Sequence, residues 1–238
     1  MSASADRPAE LAAGLAAVHA RVAAAAASSG RDPGDVTVVV VTKTFPASDV
    51  RALHALGVRD VGENRDQEAA PKAAACADLT DLRWHFIGQL QTNKAASVAS
   101  YAAVVHSVDR SRLVRALDTA AHRAGRTLDV LVQVDLDQSG HEPGRGGAAV
   151  ADVRSLADAV AGAGSLRLRG LMAVAPLGQD PVPAFARLAD LAALVRTSHP
   201  GADWLSAGMS EDLEAAVAAG ATHVRVGSAI LGRRPPLR

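Results

Sequence analysis

The sequence predicts an α/β protein folded as a single (β/α)8 barrel. Short apolar runs rich in valine and leucine recur along the chain, and a segment with helical spacing of apolar residues follows each of them. The chain has 238 residues, and no linker rich in proline, glycine or serine divides it. This length suits a closed barrel, which typically needs about 250 residues. We therefore expect one domain over residues 1–238, with a doubly wound open sheet as the alternative architecture.

The first predicted strand carries the clearest signal. Its β-branched run Val-Thr-Val-Val-Val-Val shows no polar alternation, which is typical of a strand buried on both faces. Because a helix follows each strand, neighbouring strands are expected to pair in parallel through right-handed crossovers. The predicted strands span 35–41, 58–61, 82–87, 103–107, 128–134, 166–172, 203–205 and 223–226.

Capping and breaking residues bound the predicted helices. Ser48 is expected to cap a helix that Gly57 ends, and Ser111 to cap one that Gly125 stops. The alanine-rich first helix lies within residues 1–30 and is expected to pack outside the barrel, not to span a membrane, because polar residues interrupt it. The predicted helices span 9–28, 48–56, 66–77, 91–100, 111–124, 149–163, 182–197 and 211–219, with a glycine-rich loop at 138–147.

Composition excludes several classes of function. Lys+Arg and Asp+Glu are 25 each, so the chain lacks the basic excess of a nucleic-acid-binding protein. One cysteine excludes an internal disulfide framework and a cysteine-based zinc site, and no metal is expected. The first residues do not form a secretory signal. We therefore expect a cytoplasmic protein, a monomer, with no nucleic-acid or membrane partner.

Lysine is scarce, since only Lys43, Lys72 and Lys94 stand among the 25 basic residues. Lys43 follows the first buried strand and is therefore expected at the carboxyl ends of the strands, where barrel enzymes place their sites. Partial burial there disfavours the ammonium form and favours an amine that attacks aldehydes. The alternative is a structural lysine whose ammonium reaches solvent. Lys72 and Lys94 are predicted on helices without a special role.

The loops after the seventh and eighth strands form a second candidate site. Such barrels frequently bind a phosphate there through backbone N–H groups and a helix start. Ser206 and Ser210 bracket the first of these loops, and Gly227 and Ser228 follow the last strand. The glycine would let the backbone approach closely, and the serines would add hydroxyl donors. The alternative for Ser210 is a plain helix N-cap, followed by two acidic residues.

Arg225 lies in an otherwise apolar strand. A buried unpaired charge is costly, so this side chain is expected either to face a ligand or to form a structural ion pair. A Lys43 amine that reacts with aldehydes and a phosphate-binding pair of loops on the same barrel face together suggest pyridoxal 5′-phosphate (PLP), which carries an aldehyde and a phosphate. A Schiff-base aldolase acting on a phosphorylated sugar is a second class that these residues leave open.

Several motifs in a fixed order identify a family. The segments are Thr42-Lys43-Thr44, Gly62-Glu63-Asn64-Arg65, Trp84-His85-Phe86-Ile87-Gly88, His106-Ser107-Val108-Asp109, Gly170-Leu171-Met172, Ser206-Ala207-Gly208-Met209-Ser210 and Arg225-Val226-Gly227-Ser228. Over residues 36–232 the chain resembles the YggS/PROSC family of pyridoxal phosphate homeostasis proteins. The resemblance departs from the family pattern at Phe45, Asp66 and Ala207, without removing an expected contact.

The resemblance implies the barrel of the alanine racemase N-terminal domain. It also implies that Lys43 forms the internal aldimine with PLP and that Arg225 faces the pyridine nitrogen. Asn64 would lie beside the cofactor. The implied phosphate ligands are Ser206, Ser210, Gly227 and Ser228.

The same resemblance implies a protein that carries or buffers PLP, influences amino-acid balance and has no established catalytic residue. Apo forms of PLP-dependent enzymes are the expected recipients. An arginine only donates hydrogen bonds, so Arg225 favours an unprotonated pyridine nitrogen and weakens transaminase-type chemistry. An amino-acid racemase or lyase remains the alternative. A two-base racemase would need a second base, for which Tyr101, His85 and His106 are the candidates considered.

Overall fold

The computed structural model describes residues 6–137 and 146–232 and shows a closed barrel of parallel strands in chain order. The last strand pairs with the first, in register from Thr37 opposite His223 to Val40 opposite Val226. This closure confirms the predicted (β/α)8 barrel and excludes the open sheet. The strands are β1 Thr37–Val41, β2 Asp60–Glu63, β3 Arg83–Phe86, β4 Val104–Val108, β5 Leu128–Gln133, β6 Leu166–Met172, β7 Trp204–Ser206 and β8 His223–Val226.

Helices connect consecutive strands and form the outer layer. The helices of the described residues are α1 Arg7–Ser28, α2 Ala47–Ala55, α3 Asp66–Ala75, α4 Ala95–Tyr101, α5 Ser111–Arg123, α6 Val153–Ala161, α7 Pro181–Ser198, α8 Leu213–Ala218 and α9 Ser228–Leu231. The short helix α9 was not predicted. Of the predicted loop at 138–147, residues 138–145 lie outside the described residues.

Both predicted serine caps are wrong. Helix α2 begins one residue before Ser48, because Pro46 is held in an extended conformation (φ −74°, ψ 164°) and serves as the N-cap itself. Ser111 is the first helical residue of α5, after Arg110 as N-cap. Two predicted helices also begin as 3-10 turns, at Thr92–Lys94 before α4 and at Val150–Asp152 before α6.

The first helix lies against α8 and α9, outside the strands. It is long and apolar enough to cross a membrane by length and composition alone, but Leu11 and Val18 on one side of it are buried in the protein core. The Nη2 atom of Arg7 donates to Asp49 Oδ2 at 2.7 Å and to the Leu231 carbonyl oxygen at 3.1 Å. The start of α1 is thus fastened to α2 and to the end of α9.

Polar side chains occupy much of the barrel interior. Its apolar part includes Val39, which is fully buried, and a small cluster of Val104, Leu131 and Met172. Three buried histidines, His85, His106 and His223, lie close to one another beside it and are called the interior histidines below. Interiors of such barrels are usually filled by branched apolar residues, so this one is unusually polar.

Candidate functional site

A cavity of about 520 Å³ opens at the carboxyl ends of the strands. It brings together five of the seven predicted site residues, which are Lys43, Ser210, Arg225, Gly227 and Ser228. Its other walls come from Val41, Phe45, Ile87, Met209, Glu211, Asp212, Gly232, residues 175–179 and Pro181. Among the described residues that line it, Asn64 and Ser206 do not appear.

The backbone around Lys43 is held on both sides. Before it, the Thr42 carbonyl oxygen accepts a hydrogen bond from Lys72 Nζ at 2.9 Å. After it, the Thr44 N–H donates to Glu68 Oε2 at 3.1 Å. Thr44 has φ +70°, a left-handed conformation that is strained for a β-branched residue. Strain of this kind persists only where surrounding contacts impose it. The turn therefore fixes the position of the Lys43 backbone, from which the side chain extends.

A buried ion pair lies beneath this turn. Lys72 Nζ donates to Glu63 Oε1 at 2.5 Å, and Thr42 Oγ1 donates to the same oxygen at 2.6 Å. Relative exposure is 8% for Lys72 and 1% for Glu63. Burial raises the pKa of Glu63, while Lys72 and Thr42 oppose the rise. The other carboxylate oxygen, Glu63 Oε2, is buried without a partner among the described residues.

Lys72 thus has a structural role beneath the Lys43 turn that was not predicted. A sequence signal for its burial existed, since Ala69, Lys72, Ala73 and Cys76 follow the i, i+3, i+4, i+7 spacing of one helix face. The three neighbours on that face are all buried. The alanine-rich composition of the helix obscured the pattern.

Two hydroxyl groups meet at the mouth of the cavity. Ser228 Oγ donates to Ser210 Oγ at 3.2 Å. Gly227 lets the backbone after β8 pack against β1, because a Cβ atom there would lie 3.1 Å from the Val41 carbonyl oxygen. Ser210 is not the N-cap of α8, a position that Asp212 takes. The alternative of a plain helix cap for Ser210 is therefore wrong.

Arg225 is buried, with 4% relative exposure, and one side of it reaches the cavity. Its Nη1 donates to Ser206 Oγ at 2.6 Å and its Nη2 donates to the Ala173 carbonyl oxygen at 2.9 Å. No carboxylate of the described residues forms an ion pair with it, so a structural ion pair is not its role. Burial lowers the pKa of Arg225 to about 10, although Asp212 acts in the opposite direction.

Ser206 and Asn64 lie away from the cavity lining. The Ser206 hydroxyl is fully buried and contacts Arg225 and His106, at 2.6 and 2.9 Å. In this position the Ser206 hydroxyl supports Arg225 and does not line the cavity. Asn64 follows β2, where Gly88 packs against its backbone so closely that a Cβ at position 88 would lie 2.0 Å from the Asn64 carbonyl oxygen.

The candidate second bases are engaged elsewhere. His85 Nδ1 and His106 Nε2 are 2.8 Å apart and hydrogen-bond to each other inside the barrel. Tyr101 Oη donates to Asp66 Oδ1 at 3.4 Å, and Lys94 Nζ lies 3.9 Å from Asp66 Oδ2. Among the described residues, none of these groups lines the cavity. The unusual Asp66 is accommodated by these two partners and by Ser97 Oγ, which donates to Asp66 Oδ1 at 2.7 Å.

Known proteins are similar in sequence to this chain over nearly its full length. Residues 14–235 match the family "Alanine racemase, N-terminal domain". The pyridoxal phosphate homeostasis protein of Mycobacterium bovis is 46% identical over 249 residues, covering 98% of this chain and 96% of the relative. The protein of the same name from Escherichia coli is 40% identical over 230 residues, covering 94% and 97%.

Solved structures agree. PipY of Synechococcus elongatus, solved with PLP bound, has a TM-score of 0.81 and 35% identity, covering 93% of this chain and 100% of that one. Alanine racemase of Streptomyces coelicolor has a TM-score of 0.74 at 20% identity, covering 94% of this chain and 58% of the racemase, which shows the shared fold alone. The chain belongs to the alanine racemase N-terminal domain family and, within it, to the pyridoxal phosphate homeostasis proteins.

Proposed function

We propose that the protein binds PLP through Lys43 and carries or buffers the cofactor in the cytoplasm, contributing to amino-acid balance. One observation carries the proposal: a single cavity collects an amine, a pair of hydroxyls and a buried guanidinium. The relatives named for PLP homeostasis and the PLP-bound structure of PipY support it.

The residues present fit the chemistry of PLP. The Lys43 amine matches the aldehyde, and the hydroxyls of Ser210 and Ser228 with the Gly227 backbone match the phosphate. The Arg225 guanidinium has N–H donors beyond those used on Ser206 and Ala173, and these suit a ring nitrogen. A volume of about 520 Å³ lies in the usual range for cofactor sites. Bound PLP would supply an aldehyde and an electron-withdrawing ring.

Two features favour a carrier over an amino-acid racemase or lyase. Arg225 cannot give the ring nitrogen a full proton at neutral pH, so it limits the ring as an electron sink. Among the described cavity residues, no tyrosine or histidine stands opposite Lys43 as a second base. The rim carries the exposed apolar side chains Leu177 and Met209, and we propose apo PLP-dependent enzymes as recipients of the cofactor from a monomeric carrier.

A visible absorption titration with PLP tests the binding. We expect a Schiff-base band in the wild type and in Lys94→Ala, whose lysine lies outside the cavity, and no such band in Lys43→Ala. A protein that takes up no PLP would overturn the proposal. Uptake with an unchanged band in Lys43→Ala would overturn the role of that lysine.

Incubation with single enantiomers of amino acids separates carrier from enzyme. We expect no sustained racemisation or cleavage by the PLP-loaded protein. Continued turnover would establish the racemase or lyase instead, and turnover of a phosphorylated sugar without PLP would establish the aldolase. Activation of an apo PLP-dependent enzyme by the loaded protein, faster than by free PLP released from it, is the result expected of a carrier.

A further inference from the structure

A continuous chain of hydrogen bonds crosses the inside of the barrel. It consists of Asp60, His85, His106, Ser206 and Arg225, called the interior chain below. Asp60 Oδ1 lies 2.8 Å from His85 Nε2, and His85 Nδ1 lies 2.8 Å from His106 Nε2. His106 Nδ1 lies 2.9 Å from Ser206 Oγ, which accepts from Arg225 Nη1 at 2.6 Å. The chain thus joins the amino end of β2 to the cofactor cavity.

Only one arrangement of protons satisfies every link with neutral histidines. Arg225 can only donate, so Ser206 Oγ accepts from it. The Asp60 carboxylate can only accept, so His85 carries its proton on Nε2 and leaves Nδ1 as an acceptor. His106 must then donate from Nε2 and accept from the Ser206 hydroxyl at Nδ1. Every donor therefore points from the cavity towards Asp60.

The charges around the chain favour this arrangement. Burial lowers the pKa of both His85 and His106, and it lowers that of His106 strongly, so both rings are neutral. Asp60 stays ionised, because hydrogen bonding to His85 and the charge of Arg83 at 3.4 Å outweigh its burial. A cation at the cavity is therefore linked to an anion at the far end through three neutral, polarised groups, and hydrogen bonds in such chains strengthen one another.

We propose that the interior chain positions Arg225 towards the pyridine nitrogen of the cofactor and fixes which of its N–H groups remain for that nitrogen. This inference rests on the proposed binding of PLP and adds four positioning residues to it. A merely structural role would require these side chains only to fill space. The donor direction instead occupies one Nη1 hydrogen of Arg225 on Ser206, while Ala173 occupies one Nη2 hydrogen.

The test uses the full-length protein loaded with PLP that is 15N-labelled in its ring. The nitrogen resonance reports the hydrogen bond to that atom directly, and a PLP titration gives the dissociation constant. Ser206→Ala breaks the chain next to Arg225. Asp60→Asn removes the distant charge with little change in shape. The matched control is Asp129→Asn, whose carboxylate lies at the same end of the barrel and pairs with Arg83 and Arg167 without joining the chain.

We expect Ser206→Ala to move the nitrogen resonance towards that of Arg225→Leu and to weaken PLP binding about tenfold, as loss of a hydrogen bond to a charged group does. Asp60→Asn should move it in the same direction by less, and Asp129→Asn should leave it unchanged. Equal shifts in Asp60→Asn and Asp129→Asn would show only a general charge effect and refute the chain. An unchanged resonance in Ser206→Ala would also refute it.

Two safeguards keep the outcomes distinct. The two variants lie at opposite ends of the chain, so a folding defect in one leaves the other to decide. A wild-type protein that binds no labelled PLP shows no bound resonance at all, which overturns the proposed function and the inference with it. Normal PLP binding with unmoved resonances in every variant overturns the inference alone.

Discussion

Replacing Lys72 by methionine removes the ammonium beneath the Lys43 turn while keeping most of the side-chain volume. The Glu63 carboxylate, with 1% relative exposure, then keeps only the hydroxyl of Thr42 as a donor. The Thr42 carbonyl oxygen loses the hydrogen bond it accepts from Lys72 at 2.9 Å. The substitution therefore leaves the Glu63 charge without its main partner, while the Thr42 carbonyl oxygen still accepts from the Phe45 N–H at 3.1 Å.

Breaking a buried ion pair from one side costs about 3–5 kcal/mol. Since a domain is stable by only about 5–15 kcal/mol, this is a large share of the total. The loss depends on pH, because the pKa of Glu63 is already raised and rises further without the ammonium. A protonated Glu63 needs no cation, so the cost of Lys72→Met should shrink as the pH falls.

Urea unfolding followed by far-ultraviolet circular dichroism measures the cost at about pH 7.5 and about pH 5.5. We expect the double variant Lys72→Met, Glu63→Gln to be about 2 kcal/mol more stable than Lys72→Met alone, because it carries no orphaned charge. The control Lys94→Met removes a half-buried lysine 3.9 Å from Asp66 and should cost less than about 1 kcal/mol. A cost below about 1 kcal/mol for Lys72→Met, or a double variant no more stable than it, would refute the reasoning.

Three further outcomes are expected. The unfolded chain protonates its histidines below the ordinary pKa of 6.5, whereas burial lowers the pKa of two interior histidines far below that value, one of them to about 3. The free energy of unfolding, measured in urea titrations, should therefore fall by about 3 kcal/mol between about pH 7.5 and about pH 5.5. The raised pKa of Glu63 partly offsets this fall. The control variant His122→Gln, at the surface, should show the same fall. Gly88→Ala forces a methyl group against the backbone at 2.0 Å and should cost at least about 2 kcal/mol in thermal unfolding, while Gly164→Ala, with open space around it, should cost little. The free energy of unfolding of Thr44→Gly should be about 1 kcal/mol higher than that of Thr44→Ala, because only glycine adopts φ +70° without strain. An alanine variant as stable as the glycine variant would disprove the strain.

The order of strands and helices could be predicted because each β-branched run has only one way to be buried in a parallel barrel. The valine run of β1 and the glycines after the helices mark their elements directly. Helix starts were harder to predict. The serines at 48 and 111 have the chemistry of caps, but backbone geometry decided the starts, through Pro46 and through Arg110 in an extended conformation.

Some residues of the site could likewise be predicted from the sequence, and others could not. Lys43 and Arg225 could be predicted, because a charged residue at the end of an apolar strand must face something polar. The role of Ser206 could not be predicted, since its hydroxyl bonds to His106, which is 100 residues away in the chain. Lys72 was missed because its partner Glu63 lies on another element and only the folded barrel brings them together.

The polar filling of the barrel also has a consequence for protein engineering. Buried polar networks can often be replaced by well-packed apolar side chains with no loss of stability, or with a gain. A selection for heat resistance that ignores the cofactor would therefore favour leucine, methionine or phenylalanine at the positions of the interior histidines. The resulting proteins would still fold into the barrel without PLP. They would lose the contacts that we propose to orient Arg225 towards the cofactor. Screens on this scaffold should accordingly score bound PLP together with melting temperature.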